Sequence, residues 1–494
     1  MIRYVYCMTK SQHWFDVAES LYNQKIAKPV IWLGDDYHEK NANRVFNSDV
    51  LSMLNHVHYP YKIKSENISI NDSSFFVSSN YLIAKDRCLK MMDRIDLYGL
   101  LTRIDREVYF NKLCMIFISA IEKQNPTALI MAEAPHSHAQ YLLYEVCKYF
   151  NLEIAWFNNW MIGPIMNLQN MKTMNYVPKR NDTTIKNIES YYYLVDNHIQ
   201  NFKKKWKEDF QHQYMIDQVQ ALRLSNRLIN FFNEQFNIIL RQTFRNIRDI
   251  IKGTYNPINP YNFGIYTQLK IKRKRKSNLH KLNTKFSTNK IPNDKIVFFA
   301  LHYEHERNTN PDGGLYHEQL IALQRLRNFL PKDIEIVIKE HPTQIYHQER
   351  GPRGRSPLIY ELISSMKGVT LLNYHIDSSK IQKKALFTVS ITGTASLEAA
   401  INKQKSIIFG NAWFRGCPNV YYFDDLEDFD SLMEKEVYSD NEISTFLKNQ
   451  MMMFCVPANQ NYSAELRNKN LSNDNFFNDQ IEGVEDLIKS FLIK

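Results

Sequence analysis

From Lys295 onward, short apolar runs alternate with segments of helical spacing, and this alternation constrains the chain more than any other feature. IVFFAL at 296–301 reads as a buried strand, and IEIVIK at Ile334–Lys339 as a second. GVTLLN at Gly368–Asn373, LFTVSI at Leu386–Ile391 and SIIFG at Ser406–Gly410 predict three more. Leu315–Leu330 has the spacing of an amphipathic helix, and a further helix near Ala395–Asn402 separates the last two strands. Strands that alternate with helices build a parallel sheet covered on its faces, and such sheets hold ligands beyond the carboxyl ends of their strands.

The first part of the chain carries the same rhythm. IRYVYC, PVIWLG at Pro29–Gly34, TALIMAE at Thr127–Glu133 and LEIAWFN at Leu152–Asn158 predict strands, with helices near Phe15–Gln24 and Ala139–Phe150. Helical periodicity with few breakers runs from about Ile185 to Lys252 and ends in the turn-rich NPINPYNFG at Asn256–Gly264. A chain of 494 residues exceeds what one hydrophobic core organises. The expected division is residues 1–183 as one Rossmann-like domain, 184–290 as a helical insertion with a basic linker, and 291–494 as a second Rossmann-like domain.

A hydrophobic share of 44% and a charged share of 23% are those of a folded globular protein. No apolar run reaches the roughly 18–20 residues of a membrane span, and the first residues lack the apolar core of a signal peptide. A cytoplasmic protein is expected. The six cysteines lie far apart with no CxxC pair, so neither a disulfide framework nor a zinc site is indicated. The formal charge of +10 concentrates in KKKWK at Lys203–Lys207 and KIKRKRK at Lys270–Lys276. The second run is either a solvated linker or a peripheral contact with an anionic membrane or a charged lipid-linked acceptor. No zinc-finger spacing, RNP-like aromatic motif or arginine-rich repeat accompanies it, so no nucleic-acid partner is expected.

Three segments carry chemistry. In SITGTASLEAA, a strand runs through Thr392-Gly393-Thr394 directly into a helix, so free amides and the positive helix end face outward. Gly393 lets a phosphate approach, and the hydroxyls of Thr392, Thr394 and Ser396 add hydrogen bonds. The same residues also fit an ordinary helix with Thr394 as N-cap. Glu398, one turn inside, is placed to reach a ribose hydroxyl or to complement the helix dipole. The second segment, Lys339-Glu340-His341-Pro342, follows a strand. Pro342 biases His341 toward an extended conformation at the sheet's carboxyl edge, where it would donate to a nucleotide phosphate. The third, LHYEHERNTNPDGG at Leu301–Gly314, packs His302, Glu304, His305, Glu306, Arg307 and Asp312 into one loop. A carboxylate there would take the proton of an acceptor hydroxyl, whereas no defined metal-ligand spacing is present.

With the motifs LHYEHERNTNPDGG, KEHP, TGTASLEA and FGNAWF, and a weaker echo in EAPHSHAQYLLYEVCKYFNL, the chain resembles the capsule polysaccharide biosynthesis family. Characterised relatives of that family include Kdo transferases. It is more distantly similar to bacterial sialyltransferases. The resemblance implies a GT-B fold, α/β with two Rossmann-like domains facing each other across a cleft and a helical insertion between them. It also implies a nucleotide-sugar donor, CMP-linked, with no separate cofactor and no metal. His341 matches the His of a His–Pro motif that contacts the nucleotide phosphate, while Lys339 and Pro342 flank it. Thr392, Thr394 and Ser396, around Gly393, fall at a Ser/Thr element. Asp312-Gly313 matches half of an acidic-acidic-Gly motif, with Pro311 standing in for the other acid. The catalytic base is therefore open among Asp312, Glu304 and Glu306, and so is the inverting or retaining outcome. Pro135-His136 follows its strand in the N-terminal half as His341 does in the C-terminal half, which makes His136 a further catalytic candidate. Trp413 either stacks on a base or sugar or packs in the core.

The expected function is a glycosyltransferase that moves a sugar, Kdo- or sialic-acid-like, from a nucleotide donor to a surface polysaccharide or lipid-linked glycan. The alternatives are a nucleotide-sugar 2-epimerase-like enzyme and a non-catalytic polysaccharide-assembly scaffold.

Overall fold

The computed structural model describes residues 1–9, 11–34, 36–52, 70–94, 96, 101–180, 188–207, 240, 243–244, 246–248, 250–253, 279, 281–293, 295–346, 351, 354–460 and 474–493. The basic run Lys270–Lys276 and most of the predicted helical stretch after residue 207 lie outside them. Of that stretch the described part is chiefly one helix, Tyr192–Lys207.

Backbone contacts divide the chain into two compact units. The first comprises Met1–Ile95, Arg103–Asn201 and Ser439–Lys494. Its strands are β1 (Ile2–Cys7), β2 (Ala27–Gly34), β3 (Asp49–Ser52), β4 (Ala128–Met131), β5 (Glu153–Asn159), β6 (Ile165–Asn170) and β13 (Cys455–Pro457). They lie in the order β13-β6-β5-β4-β1-β2-β3. The five strands from β3 to β5 are parallel, in the Rossmann succession 3-2-1-4-5. β6 and β13 add antiparallel strands at one edge. Both faces of this sheet are covered by apolar clusters, which is why its strands read as continuous apolar runs.

The last residues are a correction to the expected domain 291–494, because Ser439–Lys494 belong to the first unit. β13 pairs with β6, and the helix Asp474–Leu492 lays Val484, Leu487, Ile488 and Phe491 into the cluster that also holds Trp14 and Leu21. Gly483 permits this close approach, since a Cβ there would stand 2.7 Å from the Cβ of Val456. Burying such side chains contributes about 1.5–3 kcal/mol each, which outweighs any preference for sequence neighbours.

The second unit comprises Asp96–Thr102 and Phe202–Tyr438. Its strands are β7 (Ile296–Ala300), β8 (Glu335–Lys339), β9 (Val369–Leu372), β10 (Ala385–Ser390), β11 (Ser406–Ile408) and β12 (Val420–Tyr422). The first five are those expected from the sequence, and β12 is an addition. The order β12-β11-β10-β7-β8-β9 is parallel throughout. Counted from β7 it is the succession 3-2-1-4-5-6, so strand order reverses between β7 and β10. That is the switch point at which doubly wound sheets open a crevice beyond their carboxyl ends. The α/β class with two Rossmann-like sheets, expected of a GT-B protein, is present.

Candidate functional site

The three motif segments leave the carboxyl ends of β7, β8 and β10, and a hydrogen-bond network joins them. β7 delivers His302, which is buried. Its Nε2 accepts the backbone amides of Ile391 at 3.2 Å and Thr392 at 3.3 Å. Accepting two donors requires an unprotonated Nε2, and burial pushes the pKa of His302 down to about 4 despite the charge of Glu304. The Thr392 hydroxyl donates to the carbonyl of Asn308 at 2.8 Å. The amide of Asn411 donates to the carbonyl of Asp312 at 2.8 Å. Loop 302–312 is thereby tied to the Gly–Thr turn across the switch point.

The helix after this turn spans Thr394–Ile401, with Gly393 rather than Thr394 as its N-cap. No side chain among the described residues caps it, so its first-turn amides have no side-chain acceptor. Gly393 packs close to His302, a Cβ there lying 3.1 Å from Cε1. The expectation for Ser396 is corrected. It is fully buried, its hydroxyl lies 2.8 Å from that of Ser390 and donates to the carbonyl of Ile407, and so it braces the turn from the core side. Ser390 Oγ in turn accepts the amide of Gly393 at 3.0 Å.

His341 is half-buried at the end of β8, directly before the short helix Pro342–Tyr346. Its Nδ1 accepts the amide of Thr343 at 3.2 Å, so the neutral ring carries its proton on Nε2. Pro342 occupies the first helical position, where the missing N–H costs nothing. Lys339 is a second correction. It is buried, its Nζ donates to the carbonyl of Ile376 at 2.8 Å, and burial pushes its pKa down to about 8. Its ammonium is spent on that backbone carbonyl rather than on a phosphate. Glu398 is also buried, and its Oε2 accepts from Lys205 Nζ at 2.7 Å.

The three acidic candidates separate by environment. Glu304 is buried and both its oxygens are engaged, Oε1 by Gln319 Nε2 at 2.7 Å and Oε2 by Thr309 Oγ1 at 3.1 Å. As a base candidate it is corrected to a tether, since its lone pairs hold the loop. Glu306 is half-buried and accepts from Asn308 Nδ2 at 3.3 Å. Asp312 keeps 12% of its side chain exposed and faces Arg307 Nε at 3.3 Å. Among the described residues no group of three or more His, Cys, Asp or Glu could hold a metal ion.

Sequence reasoning missed the side chains that hold this loop. Arg355 grips Glu340 through two bonds of 2.7 and 2.9 Å and donates to the carbonyl of His302 at 3.0 Å. Tyr360 donates to the same Glu340 at 2.9 Å. Gln344 accepts the amide of Glu304 at 2.7 Å, and Gln319 that of His302 at 2.7 Å. Gly354 lacks a Cβ where one would stand 2.5 Å from the Cβ of Glu304. No local pattern reveals these partners, which lie 17–53 residues from the loop residues they touch.

In the first unit His136 lies just past β4, at that sheet's own switch point between β1 and β4. Its backbone is engaged, the amide by Gln140 Oε1 at 2.8 Å and the carbonyl by Arg94 at 2.6 Å. Ser137 and Gln140 form the capping box of the helix His138–Tyr149. Trp413 is half-buried, its ring edge-on to Phe414 at 5.4 Å.

No protein-family model and no curated protein sequence matches the chain. It is similar in structure to the beta Kdo 2,7 transferase of Thermosulfurimonas dismutans KpsC, at 11% identity and a TM-score of 0.26, over 71% of this chain and 85% of that one. It is also similar to UDP-GlcNAc 2-epimerase from Methanocaldococcus jannaschii, at 10% identity and a TM-score of 0.23, over 91% of this chain and 99% of that one. The Neisseria meningitidis UDP-GlcNAc 2-epimerase bound to UDP-GlcNAc is similar at 10% identity and a TM-score of 0.23, over 91% and 100%. At these scores nothing is carried from those proteins to residues of this chain. Among the described residues no helix is long and apolar enough to cross a membrane.

Proposed function

We propose that the chain is a glycosyltransferase that moves a Kdo- or sialic-acid-like sugar from a CMP-linked donor to a capsular polysaccharide or its lipid-linked acceptor. The observation that carries this reading is the tie of His302 to the amides of Ile391 and Thr392. It fixes an uncapped helix N-terminus at the switch point, beside the loop that brings Asp312 and the strand end that brings His341. An uncapped N-terminus favours the phosphate of a nucleotide. His341, with its proton on Nε2, donates to the same phosphate as charge develops there. Asp312, oriented by Arg307, accepts the proton of the acceptor hydroxyl as that oxygen attacks the anomeric carbon and CMP departs. Glu306 is the second base candidate in the same loop. Thr392 and Thr394 flank the phosphate, and Glu398 meets the ribose. Peripheral contact with an anionic membrane through Lys270–Lys276 completes the proposal, and neutralising that run lowers binding to anionic vesicles at low salt.

Thermal stabilisation by a nucleotide panel tests the reading. CMP or CDP at about 100 times its dissociation constant adds roughly 2.7 kcal/mol, and NAD and ATP add none. Stabilisation by no pyrimidine nucleotide overturns the donor assignment. Conversion of a nucleotide sugar without any acceptor replaces the transferase reading by an epimerase.

A further inference from the structure

Glu398 is 3% exposed, and its two carboxylate oxygens have unlike surroundings. Oε2 accepts from Lys205 Nζ at 2.7 Å. Oε1 is buried and has no hydrogen-bond partner. A buried carboxylate oxygen is costly to leave without a donor, so Oε1 retains the capacity to accept one from a bound group. Glu398 lies one turn, about 5.4 Å, inside the helix that begins at the Gly–Thr turn. That offset is comparable with the reach from a nucleotide 5′-phosphate to its ribose hydroxyls.

Lys205 comes from the last turn of the helix Tyr192–Lys207, within the basic run KKKWK and 193 residues away in sequence. The charges facing Glu398 are Lys205, Asp377 before the helix Ser378–Lys384, and Lys339 at the end of β8. Burial raises the pKa of Glu398, Lys205 is the strongest influence opposing that rise, and Asp377 and Lys339 act in opposite senses. Lys339 is already committed to the carbonyl of Ile376. Lys205 is thus the cation that donates directly to the carboxylate.

We infer that Lys205 is a positioning residue for nucleotide recognition, holding Glu398 ionised and turned so that Oε1 accepts a ribose hydroxyl. This rests on the proposed nucleotide site and adds to it a residue from outside the sheet-edge motifs. With Lys205 removed, the strongest influence opposing the burial-driven rise is lost, protonation of Glu398 is favoured and the carboxylate loses strength as an acceptor. The ionised fraction then returns as pH rises, and ribose recognition returns with it.

The test compares the affinity of the full chain for CMP and UMP with that for their 2′,3′-dideoxy counterparts, from pH 6 to 9. Wild type favours the ribonucleotide about 10-fold or more, the scale of a hydrogen bond to a charged group. Lys205→Met weakens that preference with dideoxynucleotide affinity unchanged, and recovers it as pH is raised across the range. Lys205→Arg retains it, while Glu398→Gln loses it at every pH. A wild-type preference in Lys205→Met across the whole range overturns the inference and leaves the nucleotide site standing. Absence of nucleotide binding by the wild type overturns the site itself and the inference with it.

Discussion

The imidazole of His302 accepts the amide of Thr392 at 3.3 Å, joining the loop after β7 to the turn after β10 at the point where strand order reverses. One neutral side chain thereby sets the relative position of the proposed proton acceptor and the proposed phosphate site. A protonated ring carries N–H on both nitrogens and opposes the two amides, so the tie exists in the neutral form alone.

The pKa of His302 is about 4 in the folded chain against an ordinary 6.5. The unfolded chain therefore binds a proton that the folded chain refuses between those values. Its contribution is fully present above pH 6.5 and is lost as pH falls toward 4, on the order of 3 kcal/mol in all. Urea denaturation across this window should show stability falling with acidity. His302→Gln should show a smaller fall, the remainder including His13, whose pKa is pushed down to about 3 by burial.

Arg355 and Glu340 are both buried and doubly bonded. Arg355→Met leaves Glu340 as an unpaired buried charge and should cost about 3–5 kcal/mol. The pair Arg355→Met with Glu340→Leu should recover much of that loss. Equal stability of the single and double variants in equilibrium unfolding would show that the ion pair is not what the single variant breaks.

Glu304 and Asp312 share a loop but should respond oppositely to neutral isosteres. Asp312→Asn should lower turnover about 10²–10⁴-fold while nucleotide affinity stays at the wild-type level. Glu304→Gln places an amide where Gln319 and Thr309 both donate, so it should lower the melting temperature and leave the pH profile of turnover unchanged. Steady-state kinetics with a melting curve for each variant separates the two roles, and a wild-type rate in Asp312→Asn moves the base to Glu306.

His341 caps a helix through Nδ1 and, in the proposed site, binds phosphate through Nε2. His341→Ala removes both and should weaken CMP binding by about 1.5–3 kcal/mol. His341→Asn restores a side chain suited to the N-cap, so it should recover stability without recovering affinity. Calorimetric titration alongside thermal melting checks the split, and undiminished CMP affinity in His341→Ala removes His341 from the site.

Much of the second unit was legible because its signals are local. IVFFAL, IEIVIK, GVTLLN, LFTVSI and SIIFG became the strands β7 to β11, since apolar runs of this length have few alternatives to a buried strand. The placement of LHYEHERNTNPDGG, KEHP and TGT beyond strand ends followed from the same alternation. The return of Ser439–Lys494 to the first unit was not legible, because the pairing of Cys455–Pro457 with Ile165–Asn170 depends on a surface those distant residues form only after folding.

By itself the sequence determined the parallel α/β class, the strand ends where chemistry gathers and the residue types present there. Tertiary structure alone decided which of them stay available. Glu304 and Asp312 are both acids of one loop, yet Gln319 and Thr309 consume the oxygens of the first while the second keeps a solvent-facing edge. Likewise Ser396 and Thr392 both lie in SITGTASLEAA, and burial against β11 turns the Ser396 hydroxyl to the core. The physical reason is that desolvation and hydrogen-bond partnership are properties of the neighbours a residue meets in space. Those neighbours, Lys205 beside Glu398 and Arg355 beside Glu340, come from parts of the chain that no spacing rule connects.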